Sequence, residues 1–260
     1  MDVKILNNAG NELSFTVKGT DNTFMNTLRR MIIDEVPTMA IEWVDFKKND
    51  SVMYDEMVAL RLGLVPLKTD LKAYTLPERC SCKGEGCAKC QVALILKTKA
   101  SGMIETDKLK SKDPATVPVY DTIPLTFLEG EQELEFMATA QLGKGKVHAK
   151  WSPAHVWFVR EAKVTVNNAS SQLAQCKNRY PPQIMGSDGK IDVNKINTQT
   201  LIDACDGVCD DVVKVEYHTD SFVLYLESWG QLTQKEIVET AVVELLAKLE
   251  EFRILVEKLA

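Results

Sequence analysis

Four cysteines stand close together in the sequence and are its clearest candidates for chemistry. Their spacing is C-x-C-x4-C-x2-C, and the residues are Cys80, Cys82, Cys87 and Cys90. Gly84 and Gly86 lie inside this loop, where they allow the backbone to reverse direction. Zn²⁺ accepts four thiolates in a tetrahedron, which leaves no open coordination position for a substrate. The pattern therefore predicts a structural zinc ion, bound by all four cysteines, that performs no catalysis.

Two other interpretations of this cysteine group stay open: reduced surface thiols and a pair of short disulfides. The N-terminus lacks the basic start and apolar stretch of a signal peptide, and no apolar run approaches transmembrane length. Together with the odd total of seven cysteines, this predicts a cytoplasmic protein without membrane contacts. Clustered cysteines in that compartment favour a metal over disulfides.

The composition limits both the size of the core and the class of partner. With 260 residues, 45% of them hydrophobic, the chain can bury one large core or two to three modest ones. The formal net charge of −6 argues against strong DNA binding by this chain alone, because duplex affinity depends on cationic contacts with phosphate. A free-standing zinc-binding nucleic-acid module is therefore disfavoured.

Motifs for catalysis are missing from the sequence. It contains no G-x-x-x-x-G-K-[ST], no G-x-G-x-x-G and no G-x-S-x-G. The basic segment 143–151 has glycines but not the spacing of a phosphate loop, so it is either a solvated turn or a docking surface for an acidic partner. His148 and His155 have no cysteine or paired acid nearby in sequence. We expect no active site on this chain.

Hydrophobic periodicity predicts a mixture of strands and helices. Alternating residues predict strands at 3–18 (a hairpin turning at 7–10), 38–46, 91–100, 116–142 with proline interruptions, 156–166 and 222–226. Helical spacing predicts helices from about 22 to 36, from 55 to 63, and from 233 to the end. The second of these helices is expected to bury Met57, Val58, Leu60 and Leu62.

The last predicted helix carries a long apolar seam. It begins with the capping-box pattern Thr233-Gln-Lys-Glu236. Seam residues recur at alternating steps of four and three: Val238, Val242, Leu245, Leu249, Phe252, Val256 and Leu259. Two helices that pack lengthwise require such a period of about 3.5 residues. The helix can lie on its own sheet, but the length of the seam favours a partner helix from another chain.

The first predicted helix adds a second candidate contact surface. Phe24 and Leu28 fall on its apolar face, and Arg29 and Arg30 lie beside that face, near the end of the helix. Their guanidinium groups can fork onto carboxylates or backbone carbonyls of a partner. The alternative is a solvated basic pair that faces water.

Several separate segments resemble the archaeal family of DNA-directed RNA polymerase D subunits. They are Phe24-Met-Asn-Thr-Leu28-Arg29-Arg30, Glu35-Val-Pro37-Thr, Asn49-Asp-Ser51, Tyr54-Asp55-Glu56, Arg61-Leu62-Gly63-Leu64-Val-Pro66-Leu67 and Leu142-Gly143-Lys-Gly145-Lys-Val-His148-Ala149-Lys150-Trp151. They occur in the family's order and run nearly end to end. The family is the counterpart of the third-largest subunit of eukaryotic RNA polymerase II and of bacterial alpha.

The resemblance implies a non-catalytic assembly role. It implies a heterodimer with the small subunit L, contacts with the small subunits N and P, and docking of the two large catalytic subunits. The magnesium ion of nucleotidyl transfer belongs to the largest subunit in this family. The implied subunit interface comprises Phe24, Leu28, Arg29, Arg30, Val238, Val242, Leu245, Leu249, Phe252 and Val256.

The resemblance also implies an α+β fold in three parts. Residues 1–46, 143–166 and 220–260 would form an alpha-like dimerisation domain. Residues 47–142 would form an inserted β-rich domain that carries the zinc loop. Residues 167–219 would form a small ferredoxin-like domain.

The third part departs from the family pattern. In many relatives it holds an iron–sulfur cluster, which needs a C-x2-C-x2-C run and a further cysteine. This chain keeps Cys176, Cys205 and Cys209, but Gln199 and Ile202 stand where the run should have cysteines. Three thiolates cannot complete a set of four ligands, so we expect the fold to be kept and the cluster to be absent. The alternative function is an iron–sulfur or redox-sensing protein that uses this domain.

Overall fold

The computed structural model of the protein describes residues 1–186 and 188–259. Ser187, within the predicted 167–219 domain, and Ala260, at the end of the predicted 220–260 segment, lie outside the described residues. The chain divides into two compact units. The first unit comprises Met1–Lys4, Phe15–Met25 and Phe158–Leu224. The second unit comprises Ile5–Ser14, Asn26–Trp157 and Tyr225–Ala260.

The secondary structure is a mixture of strands and helices. The strands are β1 (Asp2–Ala9), β2 (Glu12–Lys18), β3 (Pro37–Asn49), β4 (Gln91–Thr98), β5 (Gly102–Glu105), β6 (Lys110–Ser111), β7 (Pro124–Leu128), β8 (Leu134–Lys144), β9 (Ala154–Val166) and β10 (Val213–Ser228). The helices are α1 (Asn22–Glu35), α2 (Asp55–Gly63), α3 (Leu173–Cys176), α4 (Gln199–Cys205) and α5 (Gln234–Glu257). Short 3-10 turns, including Pro77–Arg79 and Ala149–Trp151, connect several of them.

Three sheets organise the strands. Their strand orders are β1-β2-β10-β9, β3-β8-β4-β6 and β5-β7. In the second sheet, β8 is central because it pairs antiparallel with β3 on one side and with β4 on the other. Alternate residues of β8 are buried, as expected for a strand with one face on a core. This face supplies Phe136 and its neighbours to the main core of the second unit.

Helix α2 covers part of that core with one face. Its bounds, Asp55–Gly63, confirm the prediction from sequence. Val58 and Leu62 are fully buried, as predicted, because their spacing of four puts them on the same face. The expected burial of Met57 and Leu60 is wrong, since these side chains are 50% and 62% exposed on the opposite side.

The N-terminal hairpin turns later than predicted. Asn7 and Asn8, expected in the turn, belong to strand β1, and the chain reverses at Gly10 and Asn11 instead. Gly10 has a φ of 59°, which a residue without a Cβ adopts at no steric cost. The turn preference of asparagine is therefore overridden by the pairing of β1 with β2.

The long C-terminal helix α5 begins where the sequence predicted. Thr233 Oγ1 accepts a hydrogen bond of 3.3 Å from Glu236 N, and Thr233 N donates one of 3.0 Å to Glu236 Oε2. This confirms the capping box. Two orphan amides at the start of α5 are satisfied in this way, which fixes the first turn.

The first unit has its own small core. Its buried members are Tyr180, Ile184, Ile191, Ile196, Cys205, Cys209, Val212 and Val213. The helices α3 and α4 around it are short, and Thr198 caps α4 by accepting a hydrogen bond from Leu201 N. The strand predicted at 222–226 is much longer than expected, because β10 starts at Val213 in this core. Within residues 1–186 and 188–259, no helix is both long and apolar enough to cross a membrane.

Candidate metal centre and exposed helix face

The structure brings the four predicted cysteine ligands together. All four sulfur atoms lie within 4.8 Å of one another. The Sγ atoms of Cys80 and Cys87 are 3.6 Å apart, and those of Cys82 and Cys90 are 3.5 Å apart. Tetrahedral Zn²⁺ with Zn–S bonds of about 2.3 Å requires sulfur separations of about 3.8 Å. The group therefore fits a four-coordinate metal ion, and the separations are much longer than a disulfide bond of about 2.0 Å.

The loop backbone is bent to gather these ligands. Lys83, Gly84 and Gly86 all have positive φ angles, of 55°, 88° and 91°. The two glycines were expected to reverse the chain, whereas the left-handed conformation of Lys83 was not. Lys83 N donates to Cys80 O at 2.9 Å, and Cys87 N donates to Cys90 Sγ at 3.2 Å. Such N–H groups stabilise the sulfur as a thiolate, the form that binds metal.

The protonation of the thiols also favours a bound cation. Burial raises the pKa of Cys90 to about 12. A hydrogen bond from Cys80 lowers the pKa of Cys82 to about 6, against the effect of burial and with help from the N–H groups of Gly84 and Gly86. Burial thus opposes a charged Cys90, whereas the local hydrogen bonds favour a charged Cys82. A divalent cation supplies the positive charge that keeps all four ligands deprotonated.

Helix α5 buries one narrow face and leaves a broad apolar face exposed. The buried face consists of Ile237, Ala241 and Glu244, at spacings of four and three. Beside it, the predicted seam residues Val238 and Leu245 are half-buried. The remaining seam residues are exposed to solvent: Val242, Leu249, Phe252 and Val256 on the helix, and Leu259 just beyond its end at Glu257.

The exposed face of α5 is wider than the seam. Leu249 and Phe252 are 55% and 65% exposed, and Val243 and Leu246, which sequence periodicity did not include, are exposed as well. A helix turn has only 3.6 residues, so these side chains extend the seam to a continuous surface. Soluble monomers seldom expose an apolar surface of this kind, and where they do it marks an interaction site.

The candidate interface residues of helix α1 differ in their exposure to solvent. Phe24 is exposed, whereas Leu28 is only 6% exposed and belongs to the core of its own chain. Arg29 donates to Asn26 Oδ1 from Nε and Nη2, at 3.2 Å and 2.9 Å. Arg30 lies 3.8 Å from Asp34 and stays well exposed. The two arginines lie in the middle of α1, and not near its end as expected.

Four side chains, three of them largely buried, form an ionic network that sequence reasoning missed. Lys144 Nζ lies 2.6 Å from Glu244 Oε2 and 3.2 Å from Glu35 Oε2. Lys248 Nζ lies 2.6 Å from Glu35 Oε1. Burial opposes the charge of Glu35, but hydrogen bonds and charge from Lys248 and Lys144 outweigh it and lower the pKa of Glu35. One signal was available: Glu35 is an acid on the apolar face of the first predicted helix.

The network reaches the cysteine loop through one exposed residue. Arg79, which precedes the candidate ligand Cys80, lies 3.3 Å from Glu244 Oε1. Its 3-10 turn, Pro77–Arg79, leads directly into the loop. Because Arg79 is exposed to solvent, its pair with Glu244 stabilises the fold only a little. The contact nevertheless places the loop beside the buried face of α5.

The basic segment 143–151 is packed against its own chain. A Cβ on Gly143 would lie 2.3 Å from the Trp151 ring, and Thr38 Oγ1 donates to Trp151 O at 2.7 Å. Lys150 donates to Ile41 O at 3.0 Å and lies over the Trp151 ring. The expectation of a freely solvated basic turn is therefore wrong for this lysine.

Comparison with known proteins identifies the class of the domain. The sequence profile of the RNA polymerase Rpb3/Rpb11 dimerisation domain matches residues 14–249. The matched range includes the exposed face of α5 as far as Leu249. The fold is thus a mixed α/β fold that contains an RNA polymerase dimerisation domain.

Relatives of similar length narrow the class to one subunit family. The chain is 34% identical to DNA-directed RNA polymerase subunit Rpo3 of Methanosphaera stadtmanae over 255 residues, which cover 93% of each chain. It is 32% identical to Rpo3 of Methanosarcina acetivorans over 264 residues, covering 100% of this chain and 99% of the relative. Rpo3 of Thermococcus kodakarensis is 34% identical over 263 residues, with the same coverage. The chain therefore belongs to the Rpo3 family of DNA-directed RNA polymerase subunits, which confirms the resemblance found in its motifs.

Proposed function

We propose that this chain is a non-catalytic assembly subunit of DNA-dependent RNA polymerase. It pairs with the small subunit L, and the pair, with the small subunits N and P, forms the platform on which the two large catalytic subunits dock. Family membership supports the role in the polymerase. The exposed apolar face of α5 is the observation that supports pairing with another chain.

A partner helix on α5 explains why this face stays apolar. Leu249, Phe252 and Val256 lie on it, and covering each such side chain with a partner contributes about 1.5–3 kcal/mol. Phe24, Arg29 and Arg30 of α1 complete the proposed interface, with the arginines offering donors to partner carboxylates or carbonyls. Leu28 supports the interface from beneath, as part of the core.

The cysteine group is proposed to hold one structural zinc ion. Four sulfur ligands leave no site for a substrate, and zinc prefers this ligand set and geometry. The ion would tie the start of the loop, after Arg79, to the start of β4, before Gln91. The zinc ion would cross-link the loop. This segment has almost no apolar core of its own, so it has little else to hold it folded.

The first unit is proposed to keep a ferredoxin-like domain that has lost its cluster. Its remaining cysteines make other contacts: Cys205 is buried in the apolar core, and Cys209 Sγ donates to Gln172 Oε1 at 3.1 Å. Tyr180 Oη donates to the backbone oxygen of Cys209 at 3.2 Å. Among the described residues, nothing favours the alternative redox or iron–sulfur function.

Co-expression tests the pairing directly. The chain and an L-type subunit from the same organism are expressed together, and the purified complex is weighed by native mass spectrometry. We expect a one-to-one heterodimer. If the two chains purify separately, and this chain alone behaves as a stable monomer, the proposed function is wrong.

A further inference from the structure

A stack of aromatic rings lies on an exposed sheet face of the second unit. Trp157 of β9 and Tyr225 of β10 are stacked with ring centroids 5.2 Å apart and an angle of 11° between the planes. His155 lies on Trp157 at 5.0 Å. Leu226, the next residue after Tyr225, is buried, so Tyr225 points to the opposite, outer face of the sheet.

A hollow of about 220 Å³ adjoins this stack, and two acids stand on its wall. It is lined by residues that include Asn7, Glu12, Ser14, Trp157, Tyr225 and Glu227. Glu227 follows Tyr225 by two positions, and Ser14 follows Glu12 by two, so each pair shares one face of its strand. The hollow therefore combines flat aromatic surface with carboxylates.

Two carboxylates of the hollow, those of Glu12 and Glu227, have no partners among residues 1–186 and 188–259. Neither carboxylate makes a hydrogen bond or ion pair with any of these residues. Ser14 is only 8% exposed, yet its hydroxyl also makes no hydrogen bond to them. The groups of the hollow that a partner can bind are therefore the two free carboxylates.

These features match a single kind of side chain. An aromatic face attracts a cation, and the guanidinium of arginine is flat, stacks on rings and forks onto carboxylates. Two unpaired carboxylates repel phosphate, which excludes nucleic acid as the occupant. We propose that this hollow binds an arginine side chain from a protein partner, with Glu12 and Glu227 holding the guanidinium beside Trp157 and Tyr225. Residues of α5 do not line the hollow, so the proposal is independent of the pairing proposed above.

Titration with short peptides tests this site. The probe is the tripeptide acetyl-Gly-Arg-Gly-amide, added to the full chain while the indole N–H resonance of Trp157 is followed by NMR and assigned through Trp157→Phe. A single side chain is expected to bind with a dissociation constant in the millimolar range, equivalent to about 4 kcal/mol. The same peptide with citrulline, which keeps the shape and removes the charge, should cause no saturable shift.

Variants separate the site from general surface charge. Glu227→Gln and Glu12→Gln should each weaken binding by about fivefold, as expected for partly exposed charge pairs. Glu131→Gln, which removes an exposed acid in the turn before β8 that does not line the hollow, should leave binding unchanged. The proposal is overturned if the arginine peptide gives no saturable shift up to roughly 50 mM, if citrulline or lysine peptides bind equally well, or if Glu131→Gln weakens binding as much as Glu227→Gln.

Discussion

The ammonium group of Lys144, at the end of β8, lies 2.6 Å from the carboxylate of Glu244 on the buried face of α5. The same ammonium lies 3.2 Å from Glu35, at the end of α1. One cation therefore joins a strand to both helices that carry the proposed interface. The ion pair on the buried face of α5 therefore helps to fix the position of the exposed face of the same helix.

Removal of this cation is expected to destabilise the chain. Lys144→Met leaves Glu35 with Lys248 and Glu244 with Arg79, so the loss should be about 2 kcal/mol, less than for a fully unpaired buried charge. Urea unfolding measures it. The control Lys235→Met breaks an exposed ion pair with Glu239, in which both residues belong to α5. It should lower the free energy of unfolding by less than about 0.5 kcal/mol. Equal losses for the two variants would show that the buried position of Lys144 adds nothing.

Acid should reduce the contribution of Glu35 to the stability of the fold. Its pKa is lowered in the folded chain from an ordinary value of 4.5, so the ionised form stabilises the fold above that value. This contribution is lost as the pH falls from 4.5 through the lower folded pKa. The difference in unfolding free energy between the wild type and Glu35→Gln should thus be constant near neutral pH and shrink in acid. A difference that grows as the pH falls would contradict the lowered pKa.

Gly145 is expected to tolerate no side chain. A Cβ at this position would lie 2.0 Å from the backbone oxygen of Ile33, which cannot move aside easily. Gly145→Ala should therefore destabilise the chain by about 1–3 kcal/mol in thermal or urea unfolding. Gly63→Ala is the matched control, because its nearest neighbouring atom would be 3.7 Å away. It should be neutral or slightly stabilising, and a similar loss at both positions would argue against close packing at Gly145.

Metal analysis tests the cysteine loop and the first unit together. Protein purified under reducing conditions should contain about one zinc per chain and no iron–sulfur cluster. Cys82→Ser and Cys87→Ser should release the zinc, whereas Cys176→Ser should retain it. Less than half an equivalent of zinc in the wild type would contradict the four-cysteine site. Stoichiometric iron with acid-labile sulfide would contradict the loss of the cluster.

Local signals in the sequence were enough for several parts of the fold. The start of α5 follows from its capping box, and the bounds of α2 follow from the helical spacing of its apolar residues. The cysteine site follows from short spacing alone. In these cases the residues that determine the structure are neighbours in the chain.

Features that depend on distant residues could not be predicted. Lys144 and Glu244 are a hundred positions apart in sequence, and nothing in either segment indicates the other. The exposure of Met57 and the burial of Leu28 depend on which face of each helix packs against the sheet. Hydrophobic periodicity does not identify that face. The hollow beside Trp157 and Tyr225 likewise arises only when separate strands are aligned.

The most direct test measures the affinity of the purified L-type subunit for variants of α5 by isothermal titration calorimetry. Leu249→Asp and Phe252→Asp should each reduce affinity by about 100-fold, as truncation of central interface residues does, while circular dichroism shows an intact fold. Val193→Asp, an exposed apolar position in the first unit, is the control and should bind like the wild type. Unchanged affinity of both α5 variants would contradict the pairing of this chain through its C-terminal helix.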